Sequence, residues 1–251
     1  MALFEARGLT KRFLGVTAVD AVDLTLEAGE LVSLIGPNGS GKTTLFNCVT
    51  GYLAPDAGRV LFRGRDVTGV AAHRIARLGL GRTFQLVSVF PRLSALENLL
   101  TFLQQHQEES VVARLVRTPR VRRLEAAAIE RARTLLESVG LAARADAPAG
   151  SLSYGQRKLL AFAAALMPDP DLLLLDEPAA AVNPTMIQQM KEQIRALHRQ
   201  GKTVLLVEHN MDVVMDISQR VVVLDHGQKI AEGPPETVRR DAKVVEAYFG
   251  R

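Results

Sequence analysis

The chain has 251 residues, of which 47% are apolar and 23% charged, and a formal net charge of +4. This composition excludes a disordered chain and provides a core of Leu, Val, Ile and Ala, because Trp is absent and aromatics are only 5%. No apolar run reaches the roughly 20 residues that span a bilayer, so a membrane role must come through a partner.

The opening reads as short strands, over 3–8 and over 19–26, where Val22, Leu24 and Leu26 share one face. An apolar run over 31–35 lies between Gly29 and Gly36 and suits a strand buried on both faces. A helix follows over 42–50, and a strand over 58–62 after the Pro55–Asp56 turn. From about 87 to 150 the strand signals vanish. Helices are expected over 94–107, 122–139 and 153–167, joined by Pro91, Pro119 and Pro148. Strand and helix then alternate: a strand over 172–175, a helix over 184–200 with proline in its first turn, a strand over 203–207, a helix over 211–217 and a strand over 220–224. That order predicts an α/β fold with a parallel sheet and an inserted helical subdomain.

Other features bear on compartment and partners. The single cysteine, Cys48, cannot form an internal disulfide and reads as buried filler in a reducing compartment. The N-terminal stretch, with Glu5 and no long apolar region, is not a secretory signal, so a cytoplasmic chain is expected. Between Arg114 and Arg133 seven arginines face two glutamates. That segment reads as a solvated helical face or as a face near anionic lipid headgroups. No motif for nucleic acid accompanies it, and no nucleic-acid partner is expected.

Three motifs carry chemistry. The first is Gly36-Pro37-Asn38-Gly39-Ser40-Gly41-Lys42-Thr43, followed by Thr44, with a strand before it and a helix after it. This is the phosphate-loop pattern: backbone N–H groups close around phosphate oxygens, the helix N-terminus points at them, Lys42 neutralises the β- and γ-phosphates and Thr43 offers a hydroxyl to Mg2+. An ordinary glycine turn is the plainer alternative. The second is the run 172–175 ending in Asp176-Glu177. Beside a phosphate loop, Asp176 becomes a Mg2+ residue and Glu177 a base for the attacking water, whereas alone the pair is also a plain strand-end turn. The third is Ser153-Tyr154-Gly155-Gln156, where Ser153 caps a helix whose free N–H groups form an anion site, or caps it and nothing more.

The order of these motifs resembles the ATP-binding cassette (ABC) family across the whole chain, with Gln85 in Arg82-Thr83-Phe84-Gln85 and His209 in Glu208-His209-Asn210 completing the set. The resemblance implies a phosphate-loop ATPase core over 1–86 and 159–251, with a mixed sheet and an N-terminal antiparallel β subdomain, and a helical subdomain over 87–158. It implies ATP and Mg2+ as cofactors, with Phe13 stacking on adenine and Ser153, Gly155 and Gln156 reaching the ATP of a second ABC ATPase subunit, in a homo- or heterodimer. Gln85 would bind Mg2+ and sense the γ-phosphate, and His209 would contact that phosphate. Two departures stand out: Tyr154 where a second glycine is usual, and Asn183 where many members have aspartate.

The runs 81–85, Phe90-Pro91, Leu96-Glu97-Asn98-Leu99 and 231–236 are similar to those of branched-chain amino-acid importer ATPases. This implies two transmembrane permease subunits as partners, an indirect periplasmic or extracellular substrate-binding protein, and a peripheral position on the inner face of the membrane. The apolar cluster Leu86, Val87, Val89 and Phe90 is either a docking groove for the permease or packing inside the helical subdomain. An exporter ATPase, such as one moving lipopolysaccharide, and a soluble ABC protein remain the competing readings.

Overall fold

A computed structural model describes residues 2–83, 89–104 and 118–249. The chain forms two compact units. One comprises Met1–Arg82, Asp171–Ala180 and Ile194–Arg251; the other comprises Thr83–Pro170 and Ala181–Gln193.

The first unit holds two sheets. Strands β1 (Ala2–Phe13), β2 (Val16–Glu27), β4 (Ala57–Phe62) and β5 (Arg65–Asp66) form an antiparallel sheet in the order β2-β1-β4-β5. In β2 the period of two is read directly: Val22, Leu24 and Leu26 are buried while Ala21, Asp23, Thr25 and Glu27 are exposed. The second sheet joins β3 (Leu31–Ile35), β6 (Leu80–Arg82), β7 (Leu172–Asp176), β8 (Thr203–Val207), β9 (Arg220–Asp225) and β10 (Gln228–Gly233) in the order β10-β9-β3-β8-β7-β6. All neighbours are parallel except the β9–β10 pair. Every residue of β3, β7 and β8 is buried, as expected of predominantly apolar parallel strands.

Helix α1 (Lys42–Val49) starts directly after the glycine-rich loop, and its Leu45, Phe46, Cys48 and Val49 join the core shared with both sheets. Helix α2 (Ala72–Arg77) and β6 were not visible in the sequence.

The second unit is helical: α3 (Ala95–Gln104), α4 (Pro119–Ser138), α5 (Tyr154–Leu166) and the first turns of α6 (Pro184–Arg199). Its helix starts are chemically specified. Ser94 and Glu97 form a capping box before α3, the Ser94 N–H donating to Glu97 Oε2 at 2.7 Å and the Glu97 N–H to Ser94 Oγ at 3.1 Å. Thr118 caps α4 by accepting from the Val121 N–H, with Pro119 at the first helical position. So Pro119 begins a helix here rather than joining two, and α4 starts three residues before the expected Arg122. This unit runs on through Pro170 rather than ending at residue 158, because α5 is one uninterrupted helix. In α4, Arg120, Arg122, Arg123 and Arg133 are exposed, while Arg131 donates to the carbonyls of Leu166 and Met167. Arg114 and Arg117 lie outside the described residues.

The chain closes in the first unit with α7 (Met211–Ile217), α8 (Pro235–Arg239) and α9 (Ala242–Phe249). Among the described residues no helix is long and apolar enough to cross a membrane.

Candidate nucleotide site

The loop between β3 and α1 is shaped by close backbone approaches. A Cβ on Gly36 would overlap the Leu224 carbonyl oxygen, and one on Gly41 the Ala18 carbonyl oxygen; both residues have positive φ, 152° and 99°. Only glycine fits either place. Gly41 is the N-cap of α1 and supplies no side-chain bond, so the first N–H groups of that helix stay open to an anion, and no acidic residue occupies the first turn. Lys42 is buried, and its Nζ donates to the Gly36 carbonyl at 2.8 Å, to the Pro37 carbonyl at 2.9 Å and to Ser40 Oγ at 3.3 Å. Burial lowers the Lys42 pKa from its ordinary value, and the Glu177 carboxylate pulls the other way. Its ammonium is thus held at the base of the loop, satisfied by loop oxygens. Thr43, one residue on, is exposed.

The carboxylates stand at the end of β7. Asp176 is 5% exposed, and burial raises its pKa against the opposing pull of Arg82. Glu177 leaves the strand in a left-handed conformation, φ 47°, with its N–H donating to the Val207 carbonyl at 2.9 Å. A non-glycine residue in that region carries local strain and is held there by its surroundings. The turn aims the Glu177 side chain at His209, whose Nε2 lies 3.0 Å from Glu177 Oε1. Lys42, Asp176, Glu177 and His209 therefore belong to one electrostatic cluster: Lys42 feels Glu177, and Asp176 feels both Glu177 and His209.

Sequence reasoning gave Glu208 no role of its own. It is 2% exposed, its Oε1 accepts from the Ala179 N–H at 2.6 Å, and its Oε2 accepts from the N–H groups of His209 and Asn210 at 3.1 and 3.2 Å. One buried carboxylate thereby ties the loop after Glu177 to the loop carrying His209. The signal was an acidic residue directly after the apolar run 204–207, where a buried charge needs partners.

Phe13 ends β1 half-exposed, with the Lys11 ammonium 5.5 Å from its ring centre. Gln85, Leu86 and Val87 lie outside the described residues. Phe90 is exposed and Val89 half-buried; the Phe90 N–H donates to Asn98 Oδ1 at 2.8 Å, so this segment is fastened to α3.

Ser153, Gly155 and Gln156 sit on the helical unit. Ser153 and Gln156 form a reciprocal capping box at the start of α5, with bonds of 3.0 and 3.2 Å. A Cβ on Gly155 would overlap Met186 Sδ, so a larger residue there must displace the thioether. Tyr154 is exposed, with the Lys158 ammonium 5.9 Å from its ring centre. Asn183 Oδ1 accepts from the Met186 N–H at 2.9 Å and so caps α6 before Pro184, a task an aspartate performs equally well.

A phosphate loop between a parallel strand and a helix, facing an Asp-Glu pair and a histidine, defines a nucleoside-triphosphate hydrolase. Comparison with known proteins resolves the class. The family description "ABC transporter" matches residues 19–180, and "Branched-chain amino acid ATP-binding cassette transporter" matches residues 228–251. The chain belongs to the ABC transporter family and is an ABC ATPase. It is 44% identical to the high-affinity branched-chain amino acid transport ATP-binding protein BraF of Pseudomonas aeruginosa, over 99% of this chain and 98% of that one. It is 42% identical to LivG of Escherichia coli, of the same description, with the same coverage. Among solved structures, an ATP-binding cassette of an ABC transporter in its ADP conformation superposes with a TM-score of 0.86 at 35% identity, covering both chains completely. A dimeric cassette in a post-hydrolysis state with ADP and Pi gives 0.78 at 26% identity, covering 92% of this chain and 98% of that one.

Proposed function

We propose that this chain is the ATP-hydrolysing subunit of an importer for branched-chain or similar hydrophobic amino acids. The observation that carries the chemistry is the cluster of Lys42, Asp176, Glu177 and His209, with His209 Nε2 3.0 Å from Glu177 Oε1. The named function of the BraF and LivG relatives and the matched tail support the amino-acid substrate class.

Phosphates of ATP enter the loop 36–43, displacing the carbonyl contacts of Lys42 in favour of β- and γ-oxygens. The Thr43 hydroxyl and the Asp176 carboxylate are oxygen donors of the kind Mg2+ takes. Among the described residues no group of three or more His, Cys, Asp and Glu forms a cage, which fits an ion held mainly by phosphate and water. Held there, Mg2+ would supply charge neutralisation for the phosphates. Glu177 accepts the proton of the attacking water, and His209 orients Glu177 through Nε2 and contacts the γ-phosphate. Phe13 offers its exposed face to adenine.

Ser153, Gly155 and Gln156 are proposed to complete the ATP site of a second ABC ATPase subunit, head to tail, a reading supported by the dimeric state of the related cassette. ATP between two such surfaces favours the closed dimer, and hydrolysis releases it. Gln85 and the segment through Pro91 are proposed to report that change to two permease subunits, placing the chain on the inner face of the membrane, with a substrate-binding protein beyond them.

The test is a pull-down of the tagged chain from gently solubilised native membranes. Co-purification of polytopic permease subunits and an ABC ATPase partner is expected. Recovery of soluble partners alone would overturn the transport role and leave the ATPase chemistry standing.

A further inference from the structure

Arg82 ends β6 and is the last residue before the chain passes into the helical unit. A cation at the end of a sheet-edge strand would ordinarily turn to water. This one is turned inward, its side chain 10% exposed. Its Nη1 donates to Asn47 Oδ1 at 2.7 Å and to Thr50 Oγ1 at 2.8 Å, both at the C-terminal end of α1. Its Nη2 donates to Asp176 Oδ2 at 3.1 Å. The guanidinium also lies 5.0 Å from the Phe46 ring centre and 5.1 Å from that of Tyr52. Two aromatic faces and three acceptors fix a planar fork in one orientation, which a lysine cannot reproduce.

We infer that Arg82 is a positioning residue for the metal carboxylate: it locks Asp176 against α1, the helix that presents Lys42 and Thr43, so that the two oxygen donors for Mg2+ are set at a fixed separation. The bond from Arg82 Nη2 to Asp176 Oδ2 restrains that carboxylate directly. Asn47, Thr50, Phe46 and Tyr52 all lie outside the phosphate loop, so Arg82 acts through Asp176 and α1 rather than on nucleotide. The inference rests on the assignment of Asp176 to Mg2+ made above.

A purely structural arginine and a positioning arginine differ in one measurable respect. In the full chain, binding of a fluorescent ATP analogue is titrated with Mg2+ and again with EDTA, and the ratio of the two affinities is the readout. Arg82→Met is expected to lower the Mg2+-dependent gain about 10-fold, the scale at which partners of a metal ligand act, while the affinity in EDTA stays within about 2-fold of wild type. Arg82→Lys, which keeps the charge but not the fork, is expected to fall between them. Equal losses with and without Mg2+, or an unchanged gain, would overturn the inference. If Arg82→Met does not fold, Arg82→Lys decides by the same criterion. Asp176→Asn run in parallel separates the two claims. Loss of the gain there but not in the Arg82 variants sinks the role of Arg82 alone, and no loss in Asp176→Asn sinks the reading it rests on.

Discussion

His209 Nε2 lies 3.0 Å from Glu177 Oε1, and Glu177 is held in the left-handed conformation that makes this contact. The pair joins the ends of two neighbouring strands, β7 and β8, at the side of the sheet where the phosphate loop also opens. A base must be aimed before its acidity matters, and for the base proposed here, Glu177, the aim is built into the backbone. Replacing Glu177 by Gln keeps the shape and removes the proposed proton acceptor. Hydrolysis is expected to fall about 100-fold or more, the usual contribution of a general base, while ATP affinity is retained and the ATP-bound dimer accumulates. Turnover assays and light scattering check both; turnover at the wild-type rate would remove Glu177 from the reaction.

Lys42 makes three contacts to loop oxygens, which phosphate oxygens of ATP are proposed to replace. Lys42→Ala loses charge-assisted bonds of about 1.5–3 kcal/mol each, so ATP affinity is expected to drop at least about 10-fold. Isothermal titration calorimetry reads this directly. Equal affinity in the variant would contradict the role of the loop.

Glu208 supplies acceptors to three backbone N–H groups on the two loops that carry Glu177 and His209. Glu208→Ala leaves the buried Ala179 N–H unsatisfied, at about 1–3 kcal/mol, and releases the part-buried N–H groups of His209 and Asn210. A lowered melting temperature is expected, with hydrolysis falling more than ATP affinity because Glu177 and His209 lose their mutual aim. A variant that melts and turns over like wild type would show that the bonds do not matter.

Gly155 lies under Met186. Alanine normally stabilises a helix by up to about 1 kcal/mol relative to glycine, but here its Cβ must displace the thioether. Gly155→Ala is expected to bring no gain alone and to gain in the presence of Met186→Ala, a coupling of about 1 kcal/mol in a double-mutant cycle by chemical denaturation. Additive effects would show that the two side chains do not compete.

Cys48 is 2% exposed, and burial pushes its thiol pKa up to about 11. At pH 8 only about one thiol in a thousand is then thiolate. Since the folded pKa is the raised one, the folded chain resists ionisation until the pH approaches 11, and unfolding restores ordinary acidity. The native chain is expected to resist iodoacetamide at pH 8 and to react once denatured, as mass spectrometry would show. Rapid labelling of the native chain would contradict the burial.

The parts of this fold that were legible in the sequence are those whose signals are local. Strands β3, β7 and β8 are mostly apolar and buried throughout, and β2 shows its buried Val22, Leu24 and Leu26 by alternation alone. The phosphate loop, Asp176-Glu177 and the Ser153 cap were readable because each needs particular residue types at fixed spacing. Strand β6 was not, because Leu80-Gly81-Arg82 is three residues long and exists by pairing with β7. Strand β10 is polar and lies at the sheet edge, so only its pairing with β9 defines it. The long-range contacts of Glu208 and Arg82 were missed for the same reason: these partners lie 29 residues away at Ala179 and 94 away at Asp176, distances no window spans.

That ATP hydrolysis at Glu177 drives uptake of a branched-chain amino acid is tested most directly by transport. The complex captured through this chain is reconstituted in proteoliposomes with its substrate-binding protein, and uptake of labelled leucine, isoleucine and valine is followed with ATP on the side of this subunit. ATP-dependent uptake of at least one of them is predicted, abolished by Glu177→Gln. Uptake that persists in Glu177→Gln, or hydrolysis with none of the three transported, would contradict it.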